Sequence, residues 1–494
     1  MPVLKYRPNL SFLIILLLGV LYITLPSVNN SLDSLAYAEE IRSGSYLFRP
    51  HHLLYNAFGY ALAHSLNIKN TLSLMCFVNS IFAIACLFMM RSMLAVFTDD
   101  RKCAIILILL GSCFGFVRFA TDNEAYIMPL FFSLWASKTI LIQKQAFPTS
   151  LLASAACLFH QVHFFWWLGL LLMVFFSSET NRAKRTKRVT QYISGALIVP
   201  AVYLIVFYLT KHDSPTFIRF VFHDYYQASN VNIAFGTVSL MLTPINLIRS
   251  FIQVHGYFVP LIYKYFYFGI PLLISIACFG VGIFKMKGTV RKRRVNLYCG
   301  KFASAHLLIF IMQLLFAALS DGNAEFMVML PFALALWFFM KYEPKLNAVS
   351  YLSSGLLIWN LFMAVVPYHF MELNPNIALT SFINKHPSEV YYVRDKVQVD
   401  NLLSYYYPGQ RYNIHSSLKE SLDSLMLKNK KVLTDVVNNS APYSRASFVL
   451  DVNQKSFQNY LLEKKDSIPY DLGMLYITSI TNKKSKSYTC NVLR

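Results

Sequence analysis

Charged residues are scarce in this chain, and acidic residues are the scarcer kind. Only 14% of the 494 residues are charged, with 24 acidic against 45 basic residues. No nucleic-acid recognition motif accompanies the basic excess. Apolar residues, 56% of the total, gather in runs of roughly 20, the length that a helix needs to cross a ~30 Å hydrocarbon layer. The composition therefore predicts a polytopic membrane protein whose positive charge reflects topology and contact with anionic lipid.

Cysteine and glycine motifs are also missing. Most of the eight cysteines lie in or at the ends of apolar runs, Cys299 lies in a basic loop, and Cys490 stands alone in the polar tail. The sequence shows no CxxC metal site, disulfide framework, Gly-rich phosphate loop or internal repeat. The compartment must therefore be inferred from topology.

Basic residues concentrate at 182–188 and 285–301. The positive-inside rule places both loops and the basic N-terminus in the cytoplasm. The first apolar run, from Asn9 to about Val28, lacks a cleavage pattern and resembles an uncleaved anchor. Everything after about Pro367 is then extracytoplasmic. The predicted spans lie near 9–28, 70–97, 103–119, 126–143, 192–210, 302–320, 325–341 and 349–367, with one more ending near Phe284 and a long outer segment at 211–255.

Residues 150–177 do not fit this alternation as one span. A single helix of that length would be about 40 Å long at ~1.5 Å per residue, and two full crossings need roughly 40 residues. Two half-length helices that form a re-entrant hairpin satisfy both the length and the charge rule. The hairpin tip would hold His160-Gln-Val-His163, a polar cluster suited to a watery cavity.

The tail has a polar composition rich in Lys, Ser, Asn and Tyr. Short apolar or β-branched runs alternate with helix-like stretches, which predicts a compact α/β domain without a catalytic motif. We expect this domain to bind or position an acceptor. The predicted strands are 389–393, 431–434, 475–478 and 488–492, and the predicted helices are 396–407 and 416–428.

The first outer loop contains Asp33, Glu39 and Glu40 and is followed by Phe48-Arg-Pro-His-His-Leu-Leu-Tyr55. An early outer loop with these acids and a His/Pro/Leu/Tyr run resembles the polyprenyl-phosphate-dependent glycosyltransferases of the membrane GT-C superfamily. In plan the chain is similar to the protein O-mannosyltransferases and the lipid A aminoarabinose transferases. The resemblance covers roughly residues 9–367 and rests on loop placement.

The resemblance implies an α-helical polytopic protein with about 9–11 transmembrane helices, the hairpin included. Residues 1–367 would form a GT-C-like glycosyltransferase domain and residues 368–494 an extracytoplasmic α/β domain. The implied enzyme is an inverting hexosyl- or pentosyltransferase of the bacterial cytoplasmic membrane. It would move a sugar from a polyprenyl-phosphate donor to a glycan, lipid or protein acceptor at the outer face.

Such a transfer needs a base near the attacking oxygen and cationic or hydrogen-bonding groups for the departing phosphate. By the resemblance, Asp33 is the catalytic base or acceptor clamp. The alternative for Asp33 is an ordinary solvated loop. The candidate substrate-binding residues are Glu39, Glu40, Arg49, His51, His52, Tyr55, Arg118, Asp122, Glu124, His160, His163 and Glu325.

These candidates also have structural interpretations. His51 and His52 point in different directions on any regular backbone, and either fits as a structural histidine. Asp122 and Glu124 fit a short polar turn, and Glu325 fits a helix start. The relatives carry a Lys near the hairpin, where this chain has two histidines. The histidine pair neither requires nor excludes a bound divalent cation, because two ligands without a nearby acid are a weak metal signal.

Two other functions share part of this pattern. A polysaccharide polymerase or ligase would be expected to concentrate Arg and His in large late outer loops, whereas the acids here cluster early. A lipid or sugar transporter would be expected to show repeated halves with broken helices in matching places, and the sequence shows no such symmetry.

Overall fold

The computed structural model divides the chain into two compact units. The transmembrane unit comprises Met1–Ser27, Glu40–Val254 and Ile270–Val365, and the C-terminal unit comprises Val28–Glu39, His255–Gly269 and Val366–Arg494. The last change of unit lies after Val365, and two earlier segments group with the tail. The residues described are 9–176, 181–210, 214–223, 236–254, 256–287, 290–416, 422–428, 431–439 and 460–482.

Helices dominate the described chain. Three short 3₁₀ turns matter below: Pro50–His52, Gln161–His163 and Glu325–Met327. The α-helices, in chain order, are α1 (Leu10–Thr24), α2 (Leu32–Ser43), α3 (Tyr55–Ser65), α4 (Thr71–Leu94), α5 (Asp100–Gly111), α6 (Phe114–Ala120), α7 (Ile127–Lys138), α8 (Ala146–Phe159), α9 (Phe164–Phe175), α10 (Arg182–Ala196), α11 (Ile198–Leu209), α12 (Phe217–Val221), α13 (Thr237–Phe251), α14 (Phe258–Lys264), α15 (Gly269–Met286), α16 (Leu297–Leu319), α17 (Leu330–Lys341), α18 (Leu346–Asn360), α19 (Val366–Phe370), α20 (Pro375–Lys385), α21 (Lys396–Tyr406) and α22 (Leu422–Lys428).

The protein is a multi-pass membrane protein. Within the described residues, five helices are long and apolar enough to cross a bilayer, or six if α5 and α6, bent by 73°, count as one span. The prediction of a helical polytopic fold is confirmed. The five long helices are Thr71–Leu94, Arg182–Leu209, Phe266–Met286, Leu297–Leu319 and Leu346–Lys385.

Residues 146–175 form the two half-length helices that the sequence predicts. Helices α8 and α9 have 14 and 12 residues, each too short for a ~30 Å hydrocarbon core. They are separated at His160, whose extended backbone (φ −160°, ψ 121°) cannot continue a helix. His160 Nδ1 accepts a hydrogen bond from the Val162 amide at 3.3 Å, which satisfies one of the donors exposed at this break.

Close contacts and paired polar groups hold the helices of the transmembrane unit together. Tyr22 Oη donates to the Gly111 carbonyl at 2.6 Å, joining α1 to α5, and a Cβ at Gly111 would lie 2.6 Å from Leu18. In the core, Trp166 Nε1 donates to Ser137 Oγ, which also lies 2.9 Å from His306 Nε2. Such pairing is required because hydrocarbon offers no partner for a buried polar group.

The C-terminal unit contains a mixed five-stranded sheet. Its strands are β3 (Val390–Tyr392), β4 (Asn413–His415), β5 (Lys431–Asn439), β6 (Tyr460–Tyr470) and β7 (Gly473–Asn482). The strand order is β4-β3-β5-β7-β6, with β3 parallel to β4 and β5, and β7 antiparallel to β5 and β6. Helices α20 and α21 contribute Leu379, Ile383, Val399 and Leu403 to the apolar core beside the sheet. Two further strands, β1 (Arg291–Lys292) and β2 (Tyr342–Glu343), pair in the transmembrane unit.

The small α/β domain is therefore confirmed. Three predicted strands, 389–393, 431–434 and 475–478, coincide with β3, β5 and β7. The predicted helix at 396–407 coincides with α21, and part of the one at 416–428 coincides with α22. The predicted strand at 488–492 lies outside the described residues. Strand β6 was missed because its sequence, YLLEKKDSIPY, mixes charges and a proline into an edge strand.

Candidate active site

Three histidine rings meet inside the transmembrane unit. His51 and His52 lie on the turn Pro50–His52, and His160 lies at the break between α8 and α9. The His51 and His52 ring centroids are 4.1 Å apart, and each lies 6.3 Å from the His160 ring. Burial, and to a smaller extent His51, lowers the pKa of His52 well below its usual value. At neutral pH this ring is therefore uncharged and donates a single N–H.

Tyr126 links the Glu325 carboxylate to this cluster. Tyr126 Oη donates to Glu325 Oε2 at 2.8 Å, and the Tyr126 ring lies 4.9 Å from the His160 ring. The Glu325 amide donates to Asn323 Oδ1 at 2.9 Å, and Gln313 Nε2 donates to the Phe326 carbonyl at 2.8 Å. These backbone contacts fix the turn Glu325–Met327, so Glu325 is held beside the histidines.

The loop at 121–126 is locked by buried hydrogen bonds. Tyr55 Oη donates to Asn123 Oδ1 at 2.7 Å, and Asn79 Nδ2 donates to the carbonyls of Asp122 and Glu124 at 2.8 and 2.9 Å. The Asp122 carboxylate is fully buried and lies 2.9 Å from the Arg118 guanidinium. These contacts fix the backbone of the loop that ends at Tyr126, whose ring packs against the His160 ring.

A second ion pair fixes the turn that bears His51 and His52. Arg49 Nε donates to Glu40 Oε2 at 2.8 Å, and the other guanidinium nitrogen contacts Glu40 Oε1. Asn56 Nδ2 also donates to Glu40 Oε2, at 2.7 Å. Glu40 and Arg49, both predicted to bind substrate, thus hold each other in a bidentate pair, the arrangement that best fixes a guanidinium.

An apolar cavity of about 450 Å³ opens beside His51 and His160. Its polar groups are few: Gln161 Nε2 donates to Tyr203 Oη at 2.9 Å and to the Val221 carbonyl at 2.8 Å, and Tyr203 Oη donates to the Pro50 carbonyl at 2.5 Å. The remaining wall is mainly aliphatic and aromatic. The lining residues are His51, Ser154, Cys157, His160, Gln161, Val162, Phe164, Phe165, Trp167, Ala196, Val199, Pro200, Tyr203, Phe217, Val221, Phe222, Phe316 and Phe326.

Three predicted site residues lie elsewhere. Asp33 is exposed in the first turn of α2 and, like Glu39, belongs to the C-terminal unit. His163 is buried with Nδ1 2.8 Å from Ser133 Oγ, and it is not among the residues that line the cavity. Within the described part of the chain, no group of three or more His, Cys, Asp or Glu side chains is placed to hold a metal ion.

Two polar residues were not on the predicted list. Tyr126 links Glu325 to His160. Arg249 lies on α13, where its Nη1 donates to Asn246 Oδ1 at 2.9 Å. Its Nε is buried and has no acceptor among the described residues. An Arg within the mainly apolar sequence of α13 was the available signal.

The architecture matches a solved structure over nearly its whole length. The crystal structure of ArnT from Cupriavidus metallidurans bound to undecaprenyl phosphate superposes with a TM-score of 0.52 at 11% identity, covering 95% of this chain and 97% of that one. This chain has the GT-C fold. No protein-family model and no curated protein sequence matches it.

Two further structures were found at lower similarity. The Archaeoglobus fulgidus oligosaccharyltransferase in the apo form gives a TM-score of 0.47 at 10% identity, with 87% of this chain and 70% of that chain covered. The arabinofuranosyltransferase AftD from Mycobacteria gives 0.41 at 10% identity, with 96% and 41% covered. With TM-scores below 0.5, these two structures carry no argument, and the reaction must be argued from the site.

Proposed function

We propose that this protein is a membrane glycosyltransferase that moves a sugar from a polyprenyl-phosphate donor to a glycan, lipid or protein acceptor. We place the reaction at the outer face of a bacterial cytoplasmic membrane, with inversion at the anomeric carbon. The observation that carries the proposal is an apolar cavity of about 450 Å³ that ends at a histidine cluster within a GT-C fold. ArnT, which shares the fold, was crystallised with undecaprenyl phosphate.

The cavity suits the lipid part of such a donor. Its aromatic and aliphatic wall would bury prenyl carbons, each worth ~0.8 kcal/mol when removed from water. The phosphate would then lie at His51 and His160. Imidazole N–H groups would donate hydrogen bonds to the departing phosphate there.

The acceptor side needs a carboxylate. Asp33 is the base or acceptor clamp that the resemblance implies, and Glu325 is the second candidate because Tyr126 holds it beside His160. The carboxylate takes the proton of the acceptor hydroxyl as its oxygen attacks the anomeric carbon. The bond from that carbon to the phosphate oxygen breaks, and polyprenyl phosphate leaves. A single displacement of this kind inverts the anomeric configuration.

Binding of undecaprenyl phosphate to the purified full-length protein in lipid nanodiscs tests the donor site. We expect His160→Ala to weaken binding ~10-fold, because it removes a hydrogen bond to a charged group worth ~1.5–3 kcal/mol. The matched control is His64→Ala, since His64 is exposed at the end of α3 and stacks on Tyr60 instead. His160→Gln, which keeps an N–H donor, should recover part of the affinity.

Thermal unfolding of each variant separates loss of a contact from loss of the fold. Wild-type protein that binds no polyprenyl phosphate would contradict the proposal and favour a polymerase that uses another carrier, or a transporter. Equal affinities for wild-type and His160→Ala protein would remove His160 from the donor site.

A further inference from the structure

The C-terminal unit contains a polar cleft that differs in character from the apolar cavity. Its volume is about 420 Å³, which is in the range of small-molecule sites. Helix α21 contributes Asp400 and Ser404, which are four residues apart and therefore share a helix face. Glu39 lines the cleft as well.

The rim of the cleft is a turn that follows α21. Gly409 has φ +84°, a left-handed conformation that glycine adopts without strain, and it brings the chain back toward β4. Tyr407 and Tyr412 flank this turn, and both are half-buried against the apolar core. Tyr412 Oη lies 2.7 Å from Asn384 Oδ1 and 2.5 Å from Gln410 Oε1, so one phenol fixes the turn to helix α20.

The chemistry of this lining selects a class of ligand. Carboxylates accept hydrogen bonds from hydroxyls through two oxygens, and tyrosine rings offer a flat apolar face beside a polar end. None of the described residues that line the cleft is Lys or Arg. Lys396 lies 2.8 Å from Asp400 and partly offsets its charge. The lining therefore opposes an anionic ligand and suits a molecule rich in hydroxyls.

Burial raises the pKa of Tyr412, and the neighbouring Tyr407 raises it further. The Tyr412 phenol is therefore protonated at neutral pH, and its single O–H is directed at Asn384 Oδ1 or Gln410 Oε1. Together the cleft offers carboxylate acceptors and two aromatic faces beside the apolar side chains of Leu403 and Ile414.

We propose that this cleft binds an uncharged saccharide between Tyr407, Tyr412 and the carboxylates of Glu39 and Asp400. The identification of that saccharide as the acceptor of the transfer rests on the proposed function. Saccharide binding itself does not, since the cleft is formed entirely by residues of the C-terminal unit.

The test uses full-length protein in an amine-oxide detergent, because a maltoside detergent would compete for the cleft. Maltotetraose, mannotetraose and chitotetraose are the neutral probes, and tetragalacturonate is the anionic probe. Saturation-transfer NMR and calorimetry report binding. We expect Tyr407→Ala and Asp400→Asn each to weaken binding of a neutral probe ~10-fold, the loss of about one hydrogen bond to a charged group or one aromatic face.

Each variant has a matched control outside the cleft. Tyr406→Ala removes the neighbouring, more exposed tyrosine, and Asp466→Asn removes an exposed carboxylate on β6. Both should bind the neutral probe within about twofold of wild type. Equal weakening by Tyr406→Ala and Tyr407→Ala would overturn the site, as would tighter binding of tetragalacturonate than of the neutral probes.

Binding of undecaprenyl phosphate to the same proteins distinguishes the two proposals. If wild-type protein binds undecaprenyl phosphate but no neutral probe, the saccharide site is wrong and the proposed function stands. If the neutral probe binds and undecaprenyl phosphate does not, the proposed function fails alone. Saturable Ca²⁺ binding that depends on Asp400, without binding of any saccharide, would overturn the proposal in favour of a cation site.

Discussion

Replacing Asp33 by Asn separates a catalytic role from a structural one. Asp33 lies in the first turn of α2 with its side chain exposed. The Ser34 amide in that turn donates to Ser31 Oγ at 3.0 Å, so the cap does not depend on the Asp33 carboxylate. The substitution therefore removes only a charge near the positive end of the helix, worth ~0.3–1 kcal/mol at an exposed site.

The expected effect on transfer is larger. A general base contributes ~10²–10⁴-fold, so if Asp33 is the base or acceptor clamp we expect at least ~100-fold slower transfer, or about 2.7 kcal/mol in the barrier. The assay is single-turnover transfer with purified protein and saturating lipid donor, alongside donor binding and thermal unfolding. Donor binding and unfolding should change little.

Asp395→Asn is the matched control. Asp395 caps α21 by accepting from the Gln398 amide at 3.1 Å, and Asn caps helices about as well as Asp. Near wild-type turnover of Asp33→Asn would refute the assignment of the base. If Glu325→Gln instead lost ~100-fold, the carboxylate that Tyr126 holds beside His160 would take that role.

Two further predictions concern topology and pH. In a background without the native cysteines, we expect Thr186→Cys to resist a membrane-impermeant thiol reagent in intact cells and Val397→Cys to react with it. Labelling of both variants would contradict a cytoplasmic loop at 182–188. The hydrogen bond from Lys102, and to a smaller extent the charge of Arg293, lower the pKa of Glu343. The Glu343 carboxylate therefore stabilises the fold at pH values above its unfolded pKa, and this stabilisation is lost as the pH falls through the lowered pKa. Glu343→Gln should therefore destabilise the fold slightly near neutral pH, by less than ~1 kcal/mol, and this difference should disappear as the pH falls through the lowered pKa. A difference in unfolding temperature that does not change with pH in scanning fluorimetry would contradict this.

Features that depend on local sequence were predictable. Apolar runs indicated the spans, and the length of the run at 150–177 predicted two half-length helices, which correspond to α8 and α9. The strands β3, β5 and β7 were visible because β-branched and aromatic residues alternate with polar ones. In each case a short window of sequence contains the signal.

Features that depend on distant contacts were not predictable. Asn29 Nδ2 donates to the carbonyls of Tyr368 and Met371, and Asn29 Oδ1 accepts from the Leu373 amide. These bonds join residues 339 to 344 positions apart, and they place the segment with Asp33 in the C-terminal unit. A single sequence contains no signal for such pairing. The bond between Tyr126 and Glu325, 199 positions apart, was missed for the same reason.

Two of the predicted site carboxylates belong to ion pairs near the histidine cluster, so their variants must be tested for both activity and stability. Glu40 is paired with Arg49, and Asp122 with Arg118, and both carboxylates are buried. Removing one member of a buried pair leaves the other charge uncompensated, which costs ~3–5 kcal/mol. That cost affects the stability and position of the loops, whereas the ~2.7 kcal/mol expected for loss of a base affects the reaction barrier. Loss of activity on substitution of Glu40 or Asp122 is therefore explained by displacement of the turn 50–52 or of Tyr126, whereas the same loss at exposed Asp33 has no such structural explanation.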